Sequence, residues 1–480
     1  MEEQSAPSGQ APKPVPKGRG LWIGIAVVVV VVVVLLAAVL GGFFVAPPGE
    51  DGVLKIGAVL SITGRSGLEI FGPRNLRGAQ LAVEEINDDG GVLGQPIQLI
   101  LEDDQGVDAV AADKARKLIT ADRVDVILGA VGSGKCAAAL EVTRPNQVVQ
   151  ISASCTSPVF SNTTYSGGWF FRTAPSDALQ GVVAANYSYN DRGFRRMAAI
   201  GNNNPYGRGL ANVFADEFRA LGGTITQVAI YAESKTSYSS DLQTLFTGTL
   251  PEAVYLANYP TDGLNIMRDW AANSAWDTVE WIFSEGVLDQ AGFVDKLGQQ
   301  GIPALTIQSF EGTAPGAYLG VVGALYDRFF DNYTARFAGE DPGLFTANAY
   351  DAVYIVAAAA QRAGATSGAA IREQMRAVSN PAGNPMIGGQ WAQFKDQIRN
   401  ATADPVDYEG ASGSVNLDEF GDPLSGYGVW GINPQGDIFT IKLYNESTVV
   451  DMLGAPPPAF AGVAGTELAP VEWAAPTRFD

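Results

Sequence analysis

The 480-residue chain contains no histidine. That absence removes the commonest general base, the commonest metal ligand and any Ser-His or Cys-His nucleophile pair. Most hydrolase routes are closed, although catalysis as such is not. Cysteine is nearly absent as well, with only Cys136 and Cys155 present. Two thiols without an imidazole make a poor zinc site, so the pair reads either as a disulfide or as two small core residues. Positive charge is scarce too. Thirty-one Lys and Arg stand against 51 Asp and Glu, a net charge of −20. A phosphate backbone would meet repulsion in place of released counterions. Nucleic acid is therefore not expected as a partner, and the acidity reads as solubility or a saline habitat.

What is present begins with a long apolar run. From Leu21 to Ala46 there is no charged and no amide side chain, and Val27 to Val34 are eight consecutive valines. About 20 apolar residues suffice for a helix to cross a bilayer, so this run can span with some tilt. Lys13, Lys17 and Arg19 precede it, and the strongly acidic remainder follows. The positive-inside bias thus places residues 1–20 as a cytoplasmic tail, 21–46 as a transmembrane anchor and the rest outside the cell membrane. A removable signal peptide fits less well, because its apolar region is shorter and Phe44-Val45-Ala46 is a poor cleavage site. An outward compartment tolerates disulfides.

Beyond a linker at 47–52, about 430 residues remain, more than one core normally supports, so two lobes are expected. Short apolar runs alternate with amphipathic stretches. Leu54 to Leu60, Ile97 to Leu101, Val124 to Leu128 and Val148 to Ile151 read as strands, with helices over Asn75 to Asp88, Val107 to Thr120 and Cys136 to Thr143 between them. The pattern restarts at Met197 to Ile200, Ile225 to Ile230, Ala253 to Leu256, Glu280 to Phe283 and a last strand near Leu305 to Gln308. Regular alternation implies parallel sheets covered on both faces. Helical patterns over Tyr318 to Phe337, Thr346 to Arg362 and Gly368 to Val378 carry too few strands for a third sheet and are read as completing the first lobe. Strands reappear at Tyr427 to Ile432 and Ile438 to Leu443, and residues 446–480 read as a loosely held tail. Ligands of doubly wound sheets lie beyond the carboxyl ends of the strands, so two such sheets make a cleft that can close on a small molecule.

Two motifs are argued away. Gly129 to Lys135 fits G-x-x-x-x-G-K between a strand and a helix, the setting of a phosphate-binding loop. Its next residue is Cys136, so the hydroxyl that would hold magnesium is missing. The acidic run Glu102-Asp103-Asp104 ends a strand before a helix, where capping explains it better than calcium. No metal and no cofactor are expected.

In chain order, LKIGAVLSITG (54–64), GAQLAVEEINDDGGVLGQPIQLILEDDQ (78–105), VDVILGAVGSG (124–134), QISASCTSP (150–158), NPYGRGLA (204–211) and IFSEGV (282–287) resemble the branched-chain amino-acid-binding proteins of ABC uptake systems. The resemblance covers roughly residues 53–445. It implies the type I periplasmic binding fold: α/β, with two doubly wound Rossmann-like lobes joined by a three-strand hinge. By analogy lobe I takes residues 53–174 plus 312–420, and lobe II takes 175–311 plus 421–445. The resemblance further implies that Ser133 and Thr156 hold a ligand carboxylate and that the Cys155 carbonyl and Glu285 meet its ammonium. Phe71, Tyr206 and Tyr259 would be aromatic walls. Phe71 stands where tyrosine is familiar, and Lys135 and Cys136 replace small hydroxyl residues, which leaves the ligand's side chain open.

The chemistry of a zwitterion points the same way. Each charge taken out of water must be answered, and strand-to-helix turns present N–H groups and a positive helix end to a carboxylate. Ser133 and Thr156 at such turns could equally be caps, Glu285 could merely face a helix dipole, and the three aromatics could cap a core. The function expected is capture of a small, aliphatic or branched-chain amino acid for delivery to ABC permease subunits. A sensor of an amino acid, amide or small organic acid, signalling through a partner membrane protein, is the alternative. An enzyme such as an amidase is the weakest reading, because no nucleophile arrangement is identifiable.

Overall fold

The computed structural model of the chain describes residues 52–320, 323–380, 383–399 and 406–454. The anchor expected at 21–46 lies outside them, as do the cytoplasmic tail and most of the linker. Among the described residues no helix is long and apolar enough to cross a membrane. The described residues belong to one compact unit, and it contains two large sheets.

The first sheet has five parallel strands: β1 (Lys55–Leu60), β2 (Gln98–Asp103), β3 (Val126–Gly129), β4 (Val149–Ser152) and β5 (Phe170–Arg172), in the order β2-β1-β3-β4-β5. Helices α1 (Phe71–Asp88), α2 (Asp108–Lys117) and α3 (Ser133–Thr143) alternate with them. β3 and β4 are buried at every position, as strands covered on both faces must be. After β5 the chain passes to the second sheet through α4 (Asp177–Asn186), which packs on α5 (Pro205–Ala220). That sheet takes β6 (Arg196–Asn202), β7 (Thr224–Tyr231), then α6 (Ser239–Leu245), β8 (Ala253–Ala257), α7 (Pro260–Ala271), β9 (Glu280–Phe283) and β10 (Glu311–Pro315). Its parallel part, β7-β6-β8-β9-β10, repeats the order of the first sheet.

The chain then returns. Helices α8 (Ala324–Arg336) and α9 (Thr346–Ala363) lie with lobe I, and α9 packs along α1. Buried at sixteen of its eighteen positions, α9 is largely apolar because it is covered on nearly all sides, and its buried Asp351 is answered by the Tyr408 and Ser412 hydroxyls. A small sheet of β11 (Asn384–Ile387), β12 (Val406–Gly410) and β13 (Gly413–Ser414) follows. The chain crosses a third time to β14 (Tyr427–Ile432) and β15 (Ile438–Tyr444), which add antiparallel strands beside β10.

Four expectations are corrected. Residues 304–307 form a helical turn begun by Pro303, whose fixed φ suits a helix start; the strand is β10, a few residues later, and it belongs to the second sheet although 312 was read as opening the return to lobe I. A small third sheet does form on lobe I. Helix α3 starts at Ser133 and not at Cys136, so Ser133 is its first residue. Residues 446–452 are not loose: they form α10 (Glu446–Met452), capped by Asn445 on the Thr448 N–H, with Val449 buried.

Candidate ligand site between the lobes

The carboxyl ends of β3 and β4 in lobe I and of β6, β8 and β9 in lobe II face one junction. Ser133 is 1 % exposed, and its Oγ accepts the Ser157 N–H at 3.2 Å. Its own proton is not used in that bond, and the hydroxyl lies at the positive end of an eleven-residue helix. The backbone before it is made by Gly132 at φ 84°, where an added Cβ would lie 2.9 Å from Leu68 and 3.0 Å from the Tyr259 hydroxyl. Only glycine permits both that conformation and that approach.

Thr156 follows β4, is buried, and points its Oγ1 across the junction to Glu285 Oε1 at 3.5 Å. Glu285 follows β9 and is held within lobe II: Tyr206 Oη donates to Oε2 at 2.9 Å, and Gln180 Nε2 donates to the same oxygen at 2.7 Å. Tyr206 opens α5 behind Pro205 and accepts the Gly286 N–H at 3.2 Å. Tyr259 stacks on Tyr206 with ring centroids 5.2 Å apart and planes 13° from parallel, and the Lys135 ammonium stands 5.8 Å from its ring centre. Phe71, at the start of α1, shares one buried apolar cluster with Leu68, Val131, Tyr206 and Tyr259.

Ser133, Thr156, Tyr206, Tyr259, Glu285 and Phe71 are all buried, and contacts among them cross the lobe boundary. Cys155 differs. Its carbonyl accepts from Arg172 Nη1 at 3.1 Å, so it is already engaged by a cation of the protein. Its sulfur is bonded to Cys136, which ties the loop after β4 to α3. Lys135, of the G-x-x-x-x-G-K sequence, is buried and pairs with Asp108 at 3.4 Å. Glu102 binds Lys114 and Lys117, Asp103 binds Thr63, and Asp104 binds Ser61, so that acidic run is spent on structure. Among the described residues no cluster of three or more acids or thiols is placed to hold a metal.

Sequence reasoning missed Asp177 and Gln180. Asp177 begins α4, is fully buried and donates its N–H to the Thr156 carbonyl at 2.8 Å, and among the described residues the Thr156 hydroxyl and the charge of Arg172 are the only groups that favour its ionised form. Burial first, then the charge of Glu285, raises it well above the usual carboxylate range. Burial likewise raises Glu285, to about 7, against the hydrogen bonds from Tyr206 and Gln180. Two acids that share a buried space ionise together only when a cation joins them. In the sequence Asp177 follows Ser176 and looks like an ordinary acid in a capped first turn, which it also is.

Comparison with known proteins gives this arrangement a family. The family model for periplasmic binding proteins matches residues 53–403. The chain belongs to the periplasmic binding protein family. Members of this family are binding proteins and not enzymes. Among curated relatives, the Leu/Ile/Val-binding protein BraC3 of Rhizobium johnstonii is 30% identical over 245 residues, half of this chain but only 64% of that protein's length. Leu/Ile/Val-binding protein homolog 1 of Brucella suis is 27% identical over 326 residues, covering 67% of this chain and 81% of the relative. The fold is that of a leucine-binding protein from Thermotoga maritima, with a TM-score of 0.68 over 82% of this chain and 99% of that one at 23% identity.

Proposed function

We propose that this periplasmic binding protein captures a small aliphatic or branched-chain amino acid between its lobes and delivers it to an ABC importer, tethered to the outer face of the cell membrane by residues 21–46. The observation that carries the reading is the pair Asp177 and Glu285, two fully buried carboxylates at the lobe junction with no basic side chain among their hydrogen-bond partners. An ammonium group answers both charges. Opposite them, the Ser133 hydroxyl and the start of α3 suit a carboxylate, and Thr156 stands between the two. Phe71, Leu68, Tyr206 and Tyr259 offer an apolar wall to the ligand's side chain. The names of the relatives, Leu/Ile/Val-binding and leucine-binding, agree with such a ligand.

Delivery requires no chemistry, only a closed form favoured by contacts that the ligand makes in that form alone. Contacts that already join the lobes serve that closure: Arg74 pairs with Asp289, and Ser157 Oγ donates to the Pro205 carbonyl at 2.8 Å. Titration calorimetry of residues 51–480 against the common amino acids, with their amides and with simple organic acids as controls, checks the ligand class. Heat is expected with at least one aliphatic amino acid. Binding of amides or organic acids alone would show the ligand class to be wrong.

A further inference from the structure

Arg172 is the last residue of β5, where the chain first leaves lobe I, and its side chain is fully buried. A guanidinium has five N–H donors in one plane, and here all five are used. Nε and Nη2 grip the two oxygens of Asp422, each at 2.7 Å. The second Nη2 donor reaches Ser161 Oγ at 2.9 Å, and that hydroxyl in turn donates to Asp422 at 2.5 Å. Nη1 donates to the carbonyls of Cys155 at 3.1 Å and Ser157 at 2.9 Å. Those carbonyls flank Thr156 on either side. Asp422, 2 % exposed, sits on the third crossing between the lobes, and the Arg172 N–H binds the neighbouring Gly421 carbonyl at 3.0 Å.

One side chain therefore joins two of the three hinge segments and clamps the peptide unit before Thr156 and the one after Ser157. We infer that Arg172, braced by Asp422, is a positioning residue: it sets the backbone of the Thr156 loop from the hinge, so that the loop has its ligand-ready shape only while the first and third crossings stay together. This rests on the reading of Thr156 as part of the ligand site. Lysine cannot replace the group, since three donors about one nitrogen cannot serve a carboxylate and two separate carbonyls at once.

The test compares the full chain with Arg172→Lys, and with Ser161→Ala as a milder variant that removes one acceptor and buries no new charge. Hydrogen exchange is followed segment by segment without ligand, and amino-acid affinity is measured below the unfolding temperature. Arg172→Lys is expected to speed exchange of residues 155–158 at least tenfold while β6, β8 and β9 stay as protected as before, and to weaken the amino acid about tenfold. Ser161→Ala is expected to shift the same segment about threefold and remains informative should Arg172→Lys fail to fold. Uniformly faster exchange in both sheets would make Arg172 a general fold support and overturn the inference, as would unchanged exchange at 155–158 in Ser161→Ala and in whichever other variant folds. If the unaltered protein binds no amino acid, the ligand reading falls, while the exchange result still decides the role of Arg172.

Discussion

Lobe I meets the junction with hydroxyls and the positive end of a long helix; lobe II meets it with acid and stacked aromatic rings. On the lobe I side the loops after β3 and β4 are fixed to each other, by the Cys136–Cys155 bond and by the Ser157 N–H on Ser133. On the lobe II side Glu285 is fixed by two neutral donors, Tyr206 and Gln180, which orient the carboxylate without neutralising it. The difference teaches that the lobe I half is held in shape before any ligand arrives, whereas the charge of the acidic half is answered only by a cation. Most of the dependence on ligand charge should then reside in the acids.

The largest effect is expected from Glu285→Gln. The amide keeps the shape and removes the charge, and loss of one partner of a buried charge pair costs several kcal/mol. Affinity for an α-amino acid should fall on the order of a hundredfold, about 2.7 kcal/mol. Calorimetry that found no change would return Glu285 to a purely structural place. Ser133→Ala should cost less, about tenfold, the value of one hydrogen bond to a charged group. A larger loss from Ser133 than from Glu285 would invert the comparison between the lobes.

Smaller still is the effect of pH, and its sign follows from the raised pKa values. Asp177 and Glu285 are both raised above the ordinary carboxylate range in the ligand-free protein by burial, so their contribution to stability is greatest in acid, and that of Glu285 is lost as pH rises through about 7. An ammonium ligand favours the ionised acids, so binding expels a proton below that pH. Affinity should weaken about fivefold as pH falls from 7.5 to 6, with proton release read from calorimetry in buffers of different ionisation heat. Affinity that stayed level across this range would mean that no cation lies between the two acids.

Much of this was legible beforehand, because strands and helices announce themselves by period. The two sheets and the helix expected over Thr346 to Arg362 follow from short apolar runs separated by amphipathic stretches. Ser133, Thr156, Tyr206 and Glu285 could be named because each lies shortly after a strand and within a quoted motif, and Phe71 and Tyr259 because the resemblance places aromatic walls at their positions. Pairings across long sequence distances were not legible. Arg172 lies 250 residues from Asp422, and no local pattern announces that an arginine ending a strand will serve two carbonyls and a distant carboxylate. Asp177 was hidden differently, since its cap and its place beside Glu285 use the same residue type. The strand at Glu311–Pro315 was missed because Gly312 and Pro315 break the apolar run that marks a strand.

The threefold crossing of the chain has a cost in time. β1 to β5 are complete by residue 172, yet the helix that covers one face of their sheet, α9, is not made until residue 363, and the second sheet waits for Ile438–Tyr444 to gain its edge. A chain emerging from the ribosome thus holds a first sheet with one apolar face uncovered until about residue 363 and a second sheet with an unpaired edge until residue 444. Shortened versions ending before α9 should emerge as aggregates and not as isolated first lobes.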